Sequence, residues 1–419
     1  MKQKTLSESN DKISNIHSVL DALLCNLPLS LRRTVRSFFI TFIELRKFQK
    51  LKPEDRDIVF YAESGSYWVY FEPFINLLIE EHNRKICYVT SSPDDPVLQN
   101  KDDRLLSFYI GEKTARTIFF ASLDVNILIM TFLDIDQSYI KRSKYPVHYV
   151  FLPHNMNSTH MVFRKGAHNH YDTIFCVGPH HFAELREAEE IYGLKARSLV
   201  KNGYVRLDHI YCEAKVKKPL QYGTSLNILI APSWGPQGLL GICGEELIET
   251  LLDAKHNVTV RPHRDDRKYI TVKLDELQSR FSQNPKFSWE EGKDFHNSFY
   301  ESHILVTDWS GSAFSFSFAM ERPVLFIDVP RKIYNPEYSW FKNEPVEISI
   351  RETIGTVLSP EDVRKAAGVA EKLCRNQEAF SKKIKTLRQE LVYNFGCSAK
   401  KGADYLAELS EGLRDKRSI

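Results

Sequence analysis

The stretch from Ile304 to Asp328, ILVTDWSGSAFSFSFAMERPVLFID, constrains the fold more than any other part of the chain. Ile304 to Thr307 is a short apolar run rich in branched residues, and Asp308 closes it. Ser310-Gly311-Ser312 follows, then a compact segment from Phe314 to Arg322, and Pro323 opens a second run, Val324 to Ile327. That order predicts a strand, a tight loop, a short helix and a strand. The loop carries chemistry: Ser310 and Ser312 offer hydroxyls, Gly311 allows close approach of a ligand to the backbone, and the amides at the start of the next helix favour an anion such as a phosphate. The same residues also have structural uses, since serines cap helices and aspartates end strands.

A chain of 419 residues makes two or three domains, and 42% apolar residues fill substantial cores. A formal charge of +3 with 26% charged residues lacks the bias of a nucleic-acid binder, so nucleic acid is not an expected partner. Cys25, Cys87, Cys176, Cys212, Cys243, Cys374 and Cys397 are scattered without C-x-x-C pairing, the pattern of reduced thiols and not of a disulfide framework or zinc site. The N-terminus lacks the continuous apolar core of a signal peptide, and no run of apolar residues is long enough to span a bilayer. The expected location is the cytoplasm.

Residues 1–50 carry no strand signal. Leu29 to Lys50 mixes Leu31, Val35, Phe38, Phe39, Phe42 and Ile43 with Arg32, Arg33, Arg36, Arg46, Lys47 and Lys50, a broad apolar helix face flanked by cations. Such a helix suits a docking face on the next domain, with arginine stems covering apolar surface, or an anionic membrane surface. From Asp57 the pattern changes to short apolar runs, Ile58 to Ala62, Lys85 to Thr90, Thr117 to Ala121, Asn126 to Thr131 and Val147 to Leu152, separated by helix-like stretches such as Tyr67 to Glu81. Alternation of this kind predicts a parallel sheet with helices on its faces. The loop Ala62 to Ser66 falls where open α/β sheets bind ligands, and serves equally as a structural turn. The cluster Lys141 to Lys144 reads as solvated surface; Asp134 and Asp136 have the spacing of a metal-binding pair but lie on a different strand end and also read as solvated.

Pro153 to Asp172, PHNMNSTHMVFRKGAHNHYD, is the densest polar stretch, with His154, His160, His168, His170, Arg164 and Lys165. No spacing matches a coherent ligand set and Asp172 is the nearby carboxylate, so no metal is expected. His154, at a strand's carboxyl end after Pro153, is placed as a general base, and histidine's ordinary pKa suits neutral pH. A strand at Thr173 to Val177, a helix from about His180 to Tyr192, Ser198 to Val200 and Asn202-Gly203-Tyr204 complete this half.

The polar, aperiodic stretch between Cys212 and Ser225 marks a linker. Beyond it, Asn227 to Ala231 is a strand leading into a glycine- and proline-rich loop, Pro232 to Gly238, and Glu245 to Lys255 is a helix. Val258 to Val260 is a strand ending in Arg261-Pro262-His263-Arg264, which puts Arg261 and His263 on the same strand-end rim as Asp308 and the serine loop. Helices are expected at Asp266 to Phe281 and Asp294 to Glu301, with a strand at Phe287 to Glu290 between them. Lys332 to Phe341 is a loop rich in tyrosine and proline, and Pro360 to Leu413 is largely helical and long enough to return to the first domain. The boundaries expected are a helical segment at 1–50, domains at 51–211 and 226–395 joined by a linker at 212–225, and a C-terminal helix at 396–419.

Two α/β halves, a linker and a helical tail resemble the GT-B architecture. Lys141 to His181, with Val260-Arg261-Pro262-His263 and the loop Thr307 to Ser312, resembles the CDP-glycerol glycerophosphotransferase family, whose enzymes build teichoic-acid-like polyol phosphate polymers. The resemblance implies an α/β fold of two Rossmann-like domains facing across a cleft, with helical N- and C-terminal segments. Two departures stand out: Asn155 follows His154 where better-known members have glycine, and Arg264 follows His263 where the motif usually continues with proline.

The implied reaction is attack by an acceptor hydroxyl on the β-phosphorus of CDP-glycerol, releasing CMP. The resemblance makes His154 the base, His263 and Arg261 the groups that neutralise charge on the pyrophosphate, and Asp308, Ser310, Gly311 and Ser312 the holders of the donor. It implies a CDP-polyol donor and a lipid-linked or polymeric glycan acceptor; no metal motif is evident and no cofactor is expected, while the helix face of Leu29 to Lys50, outside the resemblance, carries the expectation of peripheral contact with the inner face of the cell membrane. Two other functions fit the same fold: a glycosyltransferase or epimerase acting on a sugar nucleotide, and a non-catalytic nucleotide-binding scaffold, which needs neither histidine.

Overall fold

The computed structural model describes residues 28–137, 140–291 and 297–417, with the backbone but not every side chain of the first helix. Seven strands, β1 (Ile58–Ala62), β2 (Ile86–Thr90), β3 (Leu105–Tyr109), β4 (Ile127–Met130), β5 (His148–Phe151), β6 (Thr173–Cys176) and β7 (Ser198–Lys201), form one sheet in the order 3-2-1-4-5-6-7. Six more, β8 (Asn227–Ile230), β9 (Asn257–Val260), β10 (Phe287–Trp289), β11 (Ile304–Thr307), β12 (Val324–Ile327) and β13 (Gly355–Leu358), form a second in the order 10-9-8-11-12-13. All pairings of the second sheet are parallel. Strands buried on both faces carry no polar alternation, which is why β1, β4, β11 and β12 are continuous apolar runs.

The chain divides into two compact units, one of Met1–Trp68, Ile79–Tyr149 and Ser410–Ile419, the other of Val69–Leu78 and Val150–Leu409. In the first, the helix Leu29–Gln49 is docked through its C-terminal end: Phe48 is buried, with ring centroids 5.4 Å from Phe108 and 5.3 Å from Phe119. Phe39 and Phe42 on the same helix remain 46% exposed. The end of the C-terminal helix Ser398–Arg417 also belongs here, where Arg414 pairs at 2.9 Å with the buried Asp57 that precedes β1.

In the second unit the helix Ser312–Met320 is apolar on almost every side, as befits a helix buried all round. Phe314, Phe316 and Phe318 pack with Leu207 and Ile210 of the helix Val205–Val216. The C-terminal segment crosses the end of β6, where a Cβ at Gly178 would sit 1.7 Å from the Leu391 carbonyl oxygen. Further along, the Tyr405 hydroxyl lies 3.3 Å from Thr173 Oγ1 and 3.2 Å from Ser198 Oγ, so the tail does return to the first sheet.

Several expectations are corrected. Thr117 to Ala121 is not a strand but the end of the helix Lys113–Ala121, because the polar residues before it continue the same helical face. β3 and β13 were not expected; both lie at sheet edges and are only partly buried, so neither has the continuous apolar signature. The helix Val205–Val216 runs into the stretch read as linker. The expected helix Asp266 to Phe281 is broken at Ile270 into Asp266–Tyr269 and Thr271–Phe281. Asn297–Glu301 is helical, while the start of the helix expected from Asp294 lies outside the described residues, as does Cys25. Among the described residues no helix is long and apolar enough to cross a membrane.

Candidate functional site

In an open parallel sheet the ligand crevice lies at the carboxyl ends of the strands where the order reverses. In the second sheet that point is between β8 and β11, flanked by the loop Ala231 to Gly238 and the loop Asp308 to Gly311. Two buried aspartates build the rim. Asp308 accepts hydrogen bonds from the amides of Ser233 (2.7 Å), Trp309 (2.6 Å) and Leu239 (3.1 Å). Asp266 accepts from the amides of Gly235 (2.8 Å) and His263 (3.1 Å), and burial raises its pKa. The carboxylates therefore staple the loop after β8 to the ends of β9 and β11; Asp308 is spent on backbone donors and not turned to a ligand.

The other nominated residues of this sheet divide in the same way. Arg261 is buried, its Nε donating to Glu290 at 3.0 Å and its Nη2 to Ser298, with the guanidinium carbon 4.9 Å from the centre of the Phe299 ring. Its charge is committed inside the fold. His263 accepts the Asp265 amide at Nδ1 (3.2 Å), which leaves the proton on Nε2. Burial pushes its pKa down to about 4, so at neutral pH it is an uncharged imidazole with one N–H to give, not a cation. Ser310 Oγ lies 3.1 Å from Ser312 Oγ and accepts the Ser312 amide at 3.2 Å, shaping the entry to the helix Ser312–Met320. At Gly311 the close neighbour is a side chain of the protein itself: a Cβ there would lie 2.7 Å from Asn157 Oδ1.

That contact brings in His154. It follows β5 and is partly exposed, with its carbonyl accepting from the Tyr204 hydroxyl at 2.8 Å. Tyr70 and Phe163 stand edge-on to its ring at centroid distances of 6.5 and 6.3 Å. The residues after it are pinned one by one. His180 and His181 Nε2 reach the carbonyls of Met156 (2.9 Å) and Asn157 (2.8 Å). The amide and hydroxyl of Ser158 donate to Glu347 (2.9 and 2.8 Å), and those of Thr159 to Glu184 (2.6 and 2.8 Å). A segment held at every step lays Asn157 against Gly311, so the His154 loop and the serine loop share one rim. His160 and His168 are buried core residues, while His154 and His170 are not. The loop Ala62 to Ser66 lies in the other unit, where Ser64 caps a short turn of helix.

Sequence reasoning missed Asn157, Glu347 and Lys332. Lys332 sits in the tyrosine- and proline-rich loop after β12, with Nζ 4.0 Å from the centre of the Trp234 ring. Nothing in the local sequence distinguishes it from an ordinary surface lysine.

Residues 153–341 match the family model of CDP-glycerol:poly(glycerophosphate) glycerophosphotransferase. The matched segment begins one residue before His154, includes Arg261, His263 and the serine loop, and ends at Phe341. Over that segment, which is less than half of the chain, the match indicates a transferase of the glycerophosphotransferase type. No curated protein matches the chain. Among solved structures, a protein from Listeria monocytogenes assigned as a UDP-N-acetylglucosamine 2-epimerase has a TM-score of 0.52 at 13% identity, covering 82% of this chain and 94% of its own. The UDP-GlcNAc 2-epimerase of Methanocaldococcus jannaschii, in complex with UDP-GlcNAc and UDP, has a TM-score of 0.50 at 11% identity, covering 84% and 99%. These likenesses concern the fold, which is GT-B-like: two parallel-sheet α/β domains with helical segments.

The histidines of the second unit give the chain a definite acid response. Full burial holds His168 and His181 at about 3, and partial burial holds His263 at about 4, against 6.5 for an unhindered histidine. As pH falls through about 6.5 the unfolded chain takes up protons that the folded chain refuses, so stability from these groups is intact above that pH and lost progressively towards about pH 4. Urea midpoints measured between neutral pH and pH about 4.5 are expected to fall, and His181→Gln to make that fall shallower.

Proposed function

We propose that this chain transfers a polyol phosphate, glycerophosphate in the first instance, from its CDP ester to a hydroxyl of a cell-surface glycan or teichoic-acid-like polymer, releasing CMP. The observation that carries the reading is the contact of Asn157 with Gly311 inside the matched segment, because it gives His154 and the start of the helix Ser312–Met320 a common rim. In this reading the acceptor hydroxyl attacks the phosphorus that bears the glycerol, an oxygen–phosphorus bond forms, the bond to the CMP oxygen breaks, and His154 takes the hydroxyl proton. His263 gives its Nε2 proton as a hydrogen bond to the diphosphate, and the helix-start amides add their dipole. Arg261 and Asp308 act as positioning residues for the loops that do this.

Purified protein incubated with a panel of CDP-polyols and sugar nucleotides tests the assignment by nucleotide release. CMP from a CDP-polyol is the expected result; turnover of sugar nucleotides alone makes the chain a glycosyltransferase or epimerase, and binding without turnover makes it a scaffold.

The reading also assigns the helix Leu29–Gln49 to an anionic membrane surface, where a lipid-linked acceptor is found. Support comes from Phe39 and Phe42, both 46% exposed on a helix whose other end is docked. Each cation at such a surface contributes about 1 kcal/mol, and the phenylalanines add apolar burial. The intact protein is expected to float with anionic liposomes and a variant lacking residues 1–50 to stay behind; equal partition leaves the helix a packing element only.

A further inference from the structure

With Arg261 committed to Glu290 and His263 uncharged, the proposed site needs a cation that is free to meet a diphosphate. We propose that Lys332 is that cation, swinging from the face of Trp234 to engage the diphosphate of a nucleoside diphosphate ligand beside His263. This rests on the nucleotide-dependent reading above and names a ligand group that the motifs did not include.

The case is one of elimination among neighbours. Lys332 Nζ is buried and hydrogen-bonds to nothing among the described residues. Three carboxylates act on it, Asp308, Asp266 and Asp265, yet each is used elsewhere. Asp308 is spent on three amides, Asp266 on the amides of Gly235 and His263, and Asp265 pairs with Lys268 at 2.5 Å. They hold positive charge in the neighbourhood without closing a salt bridge on it. His263 is a further titratable neighbour, on which Lys332 acts as a like charge, and the phenols of Tyr269 and Tyr334 belong to rings 5.0 and 6.4 Å from that of Trp234. Trp234 supplies the resting place: one ring holds the ammonium by a cation–π contact, and Tyr269 stacks on Trp234 at 5.0 Å with planes 19° apart. A lysine stem has four rotatable carbons, so its head can leave that ring without moving the backbone.

An ammonium stored this way is costly, and burial brings its pKa down to about 8 in spite of the carboxylates. A bound diphosphate reverses the balance, stabilising the charged form. Binding therefore draws a proton onto Lys332 when the solution is more alkaline than about pH 8. His263, far below its ordinary pKa, stays neutral under those conditions.

Calorimetry on the full chain with CDP, and with UDP as a second probe, in two buffers of different ionisation enthalpy at about pH 8.5 reads this directly. The wild type is expected to take up a proton on binding. Lys332→Met is expected to bind CDP about tenfold more weakly or worse with no uptake, and Lys332→Arg to keep most of the affinity, also with no uptake. Melting curves identify any variant that has lost its fold, in which case the Lys332→Arg pair alone decides. Wild-type binding without proton uptake, or a folded Lys332→Met that binds CDP as the wild type does, overturns the assignment of Lys332 and leaves the nucleotide reading standing. Absence of CDP and UDP binding by the wild type removes both.

Discussion

His154→Ala is expected to lower turnover by about 10²- to 10⁴-fold while donor affinity changes little, because proton removal matters only as the hydroxyl attacks. The structure makes this substitution a clean one. The backbone of His154 is held by Tyr204 and that of the following residues by His180, His181, Glu347 and Glu184, none of which needs the imidazole. The His154→Ala protein should therefore melt close to the wild type, and a CDP titration should give a Kd near the wild-type value. Full activity in a folded His154→Ala protein removes the base from this position.

Asp308→Ala is expected to act on stability instead, and more strongly than most single changes. It leaves the amides of Ser233, Leu239 and Trp309 without an acceptor in a buried place. Each orphaned amide costs about 1–3 kcal/mol, so the loss is about 3 kcal/mol or more before any loop rearrangement. Asp308→Asn keeps an acceptor oxygen and is expected to lose less. Urea unfolding of the two variants checks the order; an Asp308→Ala protein as stable as the wild type would show that the loops at β8 and β11 close without the carboxylate.

How far such conclusions reach from the sequence depends on where each residue's partners lie. The bounds of β1, β11 and β12 were readable because central parallel strands are buried on both sides and nothing interrupts their apolar run. Edge strands β3 and β13 were not, since most of their residues are only partly buried. At the site, strand-end logic places His263, Asp308 and the serine loop on one rim, as the fold has it. It does not reveal that Arg261 would be met by Glu290 and Ser298, or that Asp308 would be consumed by the loop after β8, because those partners are brought together by folding alone. Gly311 shows the same gap in a subtler form: the need for a missing side chain was legible, but the neighbour that imposes it is Asn157. Lys332 was hidden because its environment, Trp234 and three committed carboxylates, comes from other strand ends.

The central claim is that phosphorus, and not a sugar carbon, is the centre attacked, and the identity of the leaving nucleotide decides it. With CDP-glycerol labelled in the phosphate next to glycerol, supplied to the purified chain with a hydroxyl-bearing polyol phosphate acceptor, the account predicts unlabelled CMP in solution and the label in the lengthened acceptor. Label released as CDP, with glycerol alone transferred, or no nucleotide released from any CDP-polyol while a UDP-sugar is consumed, would contradict it.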